Sequence, residues 1–379
     1  MKTVYFDNAA STVVRKESAE AAYRAMVEDY GNPSSTHMPG RKAAAVLASA
    51  RESVGLALGA APDEIYFTSG GTESCNWAVS RAASSLSRKG RHVISSSIEH
   101  DAVAEPLKAL ADGGWDVTYL APDTTGSIPA SAFAAALRDD TVFASIMLVN
   151  NETGAVNPIG EYADALRKRK SSALLHVDAV QGLCKIPFTV KSLGADLVSV
   201  SGHKIHGPKG VGALYIKSGV NLPALILGGG HERGKRSGTE PMPAIAGFGA
   251  AARLGAAERE ETASHVRAVR EYIVHAVASE LPDAVAIGEN CSPFILSLSL
   301  PGHRSEVLMS FLEGEGVYVS KSAACKKGAR SRALEAMGLK NPVIDGAIRL
   351  SFSKYSTVEE ADIFVKALKR ASARLLTAP

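Results

Sequence analysis

A lysine set between two histidines in a glycine- and proline-bounded loop is the stretch of this sequence best suited to covalent chemistry: Ser201-Gly202-His203-Lys204-Ile205-His206-Gly207-Pro208-Lys209-Gly210. It follows the mainly apolar run Ala195 to Val200, which predicts a buried strand, so Lys204 stands at a strand mouth. No carboxylate lies within four residues of it on either side. A lysine denied an ion partner shifts towards its neutral form, and a neutral amine is the nucleophile that forms a Schiff base with a carbonyl. Taken alone, the loop reads equally well as a Gly/Pro surface turn carrying a solvated lysine.

Other residues gain meaning beside it. Thr68-Ser69-Gly70-Gly71-Thr72-Glu73 follows a strand candidate and opens a helix, where backbone N–H groups and hydroxyls make an anion cradle or an ordinary capped turn. Leu174-Leu175-His176-Val177-Asp178 puts a carboxylate at the end of a buried strand, suited to a helix cap or to a buried cationic N–H. His100, in Ser97-Ile98-Glu99-His100, lies past another strand end and could stack on a planar ring. Asn150-Asn151-Glu152 adds amides after the run Phe143–Val149. Arg349 sits in a strand pattern and, facing a cleft, would grip a carboxylate with two hydrogen bonds. Cys325, in Ser322-Ala323-Ala324-Cys325-Lys326-Lys327-Gly328, is flanked by lysines ahead of the helix pattern Ser331–Met337, which favours a thiolate; it also reads as an inert turn cysteine. In combination, an imine lysine, a ring-nitrogen acid and a phosphate cup are the anchors that pyridoxal phosphate needs.

The elements that must position these groups alternate. Strand candidates Ile65–Phe67, His92–Ser95, Val117–Leu120, Phe143–Val149, Leu174–Val177, Leu197–Ser199 and Gly212–Ile216 interleave with helical patterns. Such alternation predicts an α/β fold whose seven-stranded sheet is mostly parallel, with ligands beyond the carboxyl ends of its strands. A helical pattern from about Ala244 to Leu281 leads to a C-terminal unit with strands near Phe294–Leu300, Val317–Ser320 and Ala347–Phe352, read as a small α+β domain. The division expected is a large cofactor-binding domain over 15–250, and a small domain of 1–14 and 251–379 that carries the cysteine loop and Arg349. At 379 residues the chain suits two domains. A net charge of +3 and short basic clusters without interleaved aromatics argue against a nucleic-acid partner. No apolar stretch reaches membrane-spanning length. Four dispersed cysteines without a C-x-x-C argue against disulfides or a zinc site and for a reducing, cytoplasmic setting.

Assembled, these residues make the chain resemble a cysteine desulfurase of the class V aminotransferase superfamily of pyridoxal-phosphate enzymes. The matching stretches are Tyr5-Phe6-Asp7-Asn8-Ala9-Ala10, Tyr30-Gly31-Asn32-Pro33-Ser34-Ser35, Thr68-Ser69-Gly70-Gly71-Thr72-Glu73-Ser74, Glu99-His100, Val149-Asn150-Asn151-Glu152, Val177-Asp178-Ala179, Ser201-Gly202-His203-Lys204, Arg236-Ser237-Gly238-Thr239 and Ile348-Arg349. The resemblance implies the type I fold of pyridoxal 5'-phosphate enzymes, with the cofactor on Lys204 and its ring nitrogen paired with Asp178. Gln181 and Asn151 would lie near the ring and His100 would stack on it. Gly71, Thr72, Ser201 and His203 would hold the phosphate, and Thr239 would reach the phosphate of a neighbouring subunit in a homodimer. Arg349, with Asn151 beside it, would bind the substrate carboxylate. Lys204 would move the Cα proton of L-cysteine, and Cys325 would take its sulfur as a persulfide, leaving L-alanine. A sulfur-acceptor protein, a scaffold for iron–sulfur assembly or a sulfurtransferase for tRNA thiolation, would be the partner. A selenocysteine lyase or aminotransferase is the related alternative, and a catalytically silent scaffold the alternative from another class.

The chain departs from the pattern in places. The usual Ser-Ser-Gly-Ser-Ala-Cys run stands here as Ser320-Lys321-Ser322-Ala323-Ala324-Cys325. A glycine is missing after Arg349, and His231 replaces an expected glutamine.

Overall fold

The computed structural model describes residues 3–321 and 330–375. Cys325 and the altered residues Ser322 and Ala323 lie outside them.

The strands are, in chain order, β1 (Val4–Tyr5), β2 (Ile65–Thr68), β3 (His92–Ser96), β4 (Asp116–Leu120), β5 (Thr141–Met147), β6 (Leu174–Asp178), β7 (Leu197–Ser201), β8 (Gly212–Ile216), β9 (Val285–Ile287), β10 (Ile295–Ser299), β11 (Val317–Tyr318), β12 (Ser320–Lys321) and β13 (Ala347–Ser351). Seven of them form one sheet in the order β2-β8-β7-β6-β5-β3-β4. The pairs β3/β4, β3/β5, β5/β6 and β6/β7 are parallel, and β8 runs antiparallel to β7 and β2. Every residue of β5, β7 and β8 is buried, as expected of strands covered on both faces. The core around this sheet gathers Ile94, Ile146, Val177, Val198 and Val200 with helix residues such as Val54, Tyr162 and Phe248.

A second core holds Val4, Phe6, Leu296, Leu298, Leu350, Phe352, Phe364 and Leu368. Its four-stranded antiparallel sheet has the order β12-β13-β10-β9, and β1 pairs in parallel with β11 beside it. The N-terminus thus packs with the C-terminal part of the chain.

The sequence reading needs three adjustments. The helical pattern 244–281 is two helices, Met242–Ala257 and Arg259–Glu280. They meet at Glu258, whose carboxylate binds Arg15 Nη2 at 2.9 Å and Lys354 Nζ at 2.7 Å. The first packs into the large core through Ile245, Phe248, Ala251 and Ala252, and the second into the other through Val266, Val269 and Ile273, so each apolar stripe needs its own axis. The run Val317–Ser320 divides between β11 and β12, which join different sheets. Three short elements, Val190–Leu193, β9 and Asn341–Asp345, had no periodic signal because none is longer than five residues.

Candidate active site

The parallel order brings the carboxyl ends of β5, β6 and β7 side by side, and β2 joins them because both it and β7 run antiparallel to β8. Thr68 at the end of β2 faces Gly212, which faces Ser201 at the end of β7. A Cβ on Gly212 would meet Gly70 Cα at 2.7 Å, so glycine is what lets the turn after β2 close down on the strand. At this edge lies a cavity of about 420 Å³. Gly71, Thr72, His100, Asn151, Asp178, Gln181, Ser201, His203, Lys204 and Arg349 all line it, as do Ala9 and Ala10. Of the residues singled out in the sequence, Thr239 is exposed and does not line it, and Cys325 lies outside the described residues.

Lys204 ends a single 3-10 turn, Gly202–Lys204, directly after β7. Its Nζ donates to the carbonyls of Ala9 at 2.6 Å and Ala10 at 2.8 Å. Burial pushes the amine down to about 8, helped by Arg349 and opposed by Asp178 and Asp7. A fraction is therefore neutral near physiological pH, which is the requirement stated above.

Asp178 closes β6, and its Oδ1 accepts the N–H of Val180 at 2.9 Å. This is the local capping role of a strand-end aspartate, although no α-helix follows directly. Burial raises its carboxyl above the ordinary value, while His100 and Lys204 favour the ionised form. Behind it, His176 is wholly buried, bonded to Ser145 Oγ and Ser199 Oγ at 2.8 Å each, and pushed down to about 3 by burial, hence neutral.

The helix Gly71–Leu86 is capped by Gly70, and Gly71 and Thr72 of its first turn line the cavity. A Cβ on Gly71 would meet Val180 Cγ2 at 2.6 Å, so this helix start sits against the Asp178 turn only without a side chain. Glu73 does not face an anion there as a free charge; it is tied to Arg236 Nε at 2.8 Å, which anchors the 227–243 loop. His100 caps the helix Asp101–Asp112, its Nδ1 accepting the Ala102 N–H at 3.0 Å, so a neutral ring carries its proton on Nε2. Burial and the nearby lysines push His203 down to about 4, a neutral ring at working pH. Arg349, on β13, donates from Nη1 to the Asn151 carbonyl and from Nη2 to Asp7 Oδ1, both at 2.9 Å. Its buried Nε has no partner among the described residues.

These features fit a phosphorylated pyridine aldehyde with a carboxylate-bearing substrate. A poised amine, a buried acid awaiting a cation, a helix start cleared by glycine and a guanidinium share one cavity. Sequence reasoning overlooked three contributors. Asp7 grips Arg349, Glu99 lies buried under the site, and Lys185 donates to Gln181 Oε1 at 2.9 Å. Asp7 and Glu99 stood inside quoted motifs without a role; Lys185, four residues after Gln181, carried no signal beyond its spacing.

Comparison with known proteins agrees with this chemistry. The aminotransferase class-V family matches residues 4–364. A cysteine desulfurase IscS of Methanosarcina thermophila is 40% identical over 365 residues, 95% of this chain and 90% of that protein. A solved NifS-like protein superposes with a TM-score of 0.93 at 39% identity, covering 99% of this chain and 100% of that one. The structure of SspA in complex with cysteine matches at 33% identity and a TM-score of 0.82, over 94% and 100% of the two chains. The seven-stranded, mostly parallel sheet is that of the type I fold of pyridoxal-phosphate enzymes, on which this family depends. The chain belongs to the class-V aminotransferases, within their cysteine desulfurase family.

Proposed function

We propose that the protein converts L-cysteine to L-alanine, with pyridoxal 5'-phosphate held on Lys204 and the sulfur taken by Cys325. The observation that carries this reading is the convergence of the Lys204 amine, the buried Asp178 carboxyl and the Gly71 helix start in one cavity with Arg349. Asp178 would hold the ring N–H, His100 would stack on the ring, and Gln181 and Asn151 would bond its edge. Gly71, Thr72, Ser201 and His203 would bind the phosphate. Bound there, the cofactor supplies an electron sink for the pair released at the substrate Cα.

The chain's own residues do the rest. Arg349 and Asn151 orient the substrate carboxylate. Lys204 Nζ, once free, takes the Cα proton, a task suited to an amine poised near 8. The Cys325 thiolate attacks the substrate sulfur, so an S–S bond forms as the Cβ–S bond breaks. The released pair stays with Cβ, which a proton completes to a methyl group, Lys204 gives a proton back to Cα to complete alanine, and a persulfide remains on Cys325 for an acceptor protein.

Further parts of the reading rest on other observations. Thr239 is exposed away from the cavity, and Tyr30 and Leu227 are 70% and 85% exposed, which suits a homodimer that shares its phosphate sites. The two cores suit a large and a small domain much as expected (15–250, and 1–14 with 251–379), except that the helix Met242–Ala257 runs past 250 and stays with the large core through Ala251 and Ala252. Among the described residues Cys75, Cys184 and Cys291 are free thiols, in keeping with a cytoplasmic setting, and no helix is long and apolar enough to cross a membrane. The decisive experiment supplies cofactor, L-cysteine and a reducing thiol, which releases the persulfide sulfur, and measures alanine and sulfide. Cys325→Ala is expected to lose both while keeping the visible cofactor band; undiminished turnover in that variant contradicts the sulfur-transfer step.

A further inference from the structure

Lys185 is 7% exposed and lies in the turn region after β6. Its Nζ makes one described hydrogen bond, to Gln181 Oε1 at 2.9 Å. Burial, then Lys204 and Arg349, push its amine down to about 7, with the Cys184 thiol acting the other way. Arg15, His206, Glu258 and Lys354 stand around the adjoining small pocket, and none of them is bonded to this amine. A buried lysine without a carboxylate partner is costly to the fold, so its retention calls for another explanation.

Gln181 supplies one. Its Nε2 donates to the Ala9 carbonyl at 2.9 Å, the same oxygen that accepts Lys204 Nζ at 2.6 Å. A carbonyl only accepts, so Ala9 fixes the amide with Nε2 towards it and Oε1 towards Lys185, whose amine has an N–H to donate in either charge state. The two amines thereby terminate one polar chain: Lys185 Nζ, the Gln181 amide, the Ala9 carbonyl and Lys204 Nζ. With Oε1 turned to Lys185, Gln181 keeps its second Nε2 hydrogen to donate to the cavity it lines.

We propose that Lys185 is a positioning residue for the reaction at Lys204, holding the Gln181 amide so that it presents a donor to the cavity and shares the Ala9 carbonyl with the Lys204 amine. This rests on Lys204 being the cofactor lysine. Without Lys185 the Ala9 carbonyl alone orients the amide, so the donor that favours the unprotonated Lys204 linkage is held less firmly.

The test is a pH titration of the visible band of cofactor-loaded protein for wild type, Lys185→Met, Gln181→Ala and the double variant. Lys185→Met is expected to move the transition upward by about one pH unit. In the Gln181→Ala background the same substitution is expected to move it no further, because the effect travels through the amide. An unmoved transition, or an equal shift in both backgrounds, overturns the proposal. Lys185→Gln keeps an N–H donor without the charge and is expected to titrate like wild type; a shift as large as that of Gln181→Ala overturns it, even where Lys185→Met does not fold. Wild-type protein that forms no band refutes the Lys204 assignment and this inference together, whereas a normal wild-type band with an additive Lys185 effect refutes the inference alone.

Discussion

Arg349 and Asp7 meet at 2.9 Å, Nη2 to Oδ1, across 342 residues of chain. The pair aims the guanidinium of a small-core strand into a cavity at the end of the large sheet. Nη1 is also used, on the Asn151 carbonyl, and Nε is buried with no acceptor among the described residues. Arg349 is thus held in place with donor capacity still unused. Replacing it by Lys removes the planar fork and is expected to cost about 2–4 kcal/mol of substrate binding. That is roughly 30- to 1,000-fold in kcat/KM for L-cysteine, with the cofactor band retained. Unchanged kinetics in Arg349→Lys contradict its assignment to the substrate carboxylate.

The Lys204 amine, lowered to about 8, sets a pH dependence that precedes catalysis. Only the neutral amine attacks an aldehyde, so cofactor capture by the apoprotein is expected to fall about tenfold per unit below that value and to level off above it. Arg349 is among the causes of the lowering, after burial. Arg349→Met is therefore expected to shift the capture profile to higher pH. Stopped-flow absorbance across pH 6–10 (an order-of-magnitude window about the expected midpoint) reads both; a flat profile contradicts the poised amine.

Most of this frame was legible beforehand. Ile65–Phe67, His92–Ser95 and Gly212–Ile216 became strands within a residue of the expected limits, because apolar runs buried on both faces carry a strong signal between turn residues. The motifs at strand ends also foretold one shared cavity, since parallel order fixes where strand ends lie. What the sequence hid were contacts between distant positions. Nothing in Asp7, Lys185 or Glu99 announces Arg349, Gln181 or Met147, for these pairings depend on packing rather than on local periodicity. The break at Glu258 was hidden likewise, because each helix answers to a different core.

Glu99 shows how such a hidden group can be tested. Its Oε1 accepts from Ser96 Oγ at 2.5 Å and from the Met147 N–H at 3.0 Å, while Oε2 is buried without a partner among the described residues. Burial raises the carboxyl from 4.5 to about 8, so at neutral pH it keeps its proton. Between those values the folded chain holds a proton that the unfolded chain has lost, so stability falls as pH rises. The slope is about 1.4 kcal/mol per unit for a group that titrates alone. Glu99→Gln is neutral throughout and is expected to flatten that fall. Urea unfolding of both proteins from pH 5 to 8 checks it, and parallel curves contradict the raised carboxyl.

Glu232 anchors the loop that carries Thr239. It receives Arg51 through both oxygens, at 2.7 and 2.8 Å, and its Oε2 also accepts the Phe67 N–H at 2.8 Å. Its side chain is 2% exposed and that of Arg51 11%. Glu232→Ala strands a buried guanidinium and is expected to cost about 3–5 kcal/mol, read as a lowered denaturant midpoint. A loss below about 1 kcal/mol, the range of a surface pair, contradicts this anchoring role.

The account depends above all on which amine carries the cofactor. Protein loaded with pyridoxal 5'-phosphate, reduced with borohydride and digested, gives a peptide map that answers this directly. A single pyridoxyl adduct on Lys204, absent from Lys204→Ala, is the expected result. An adduct on Lys185 or another lysine with Lys204 unmodified, or no adduct at saturating cofactor, would contradict it.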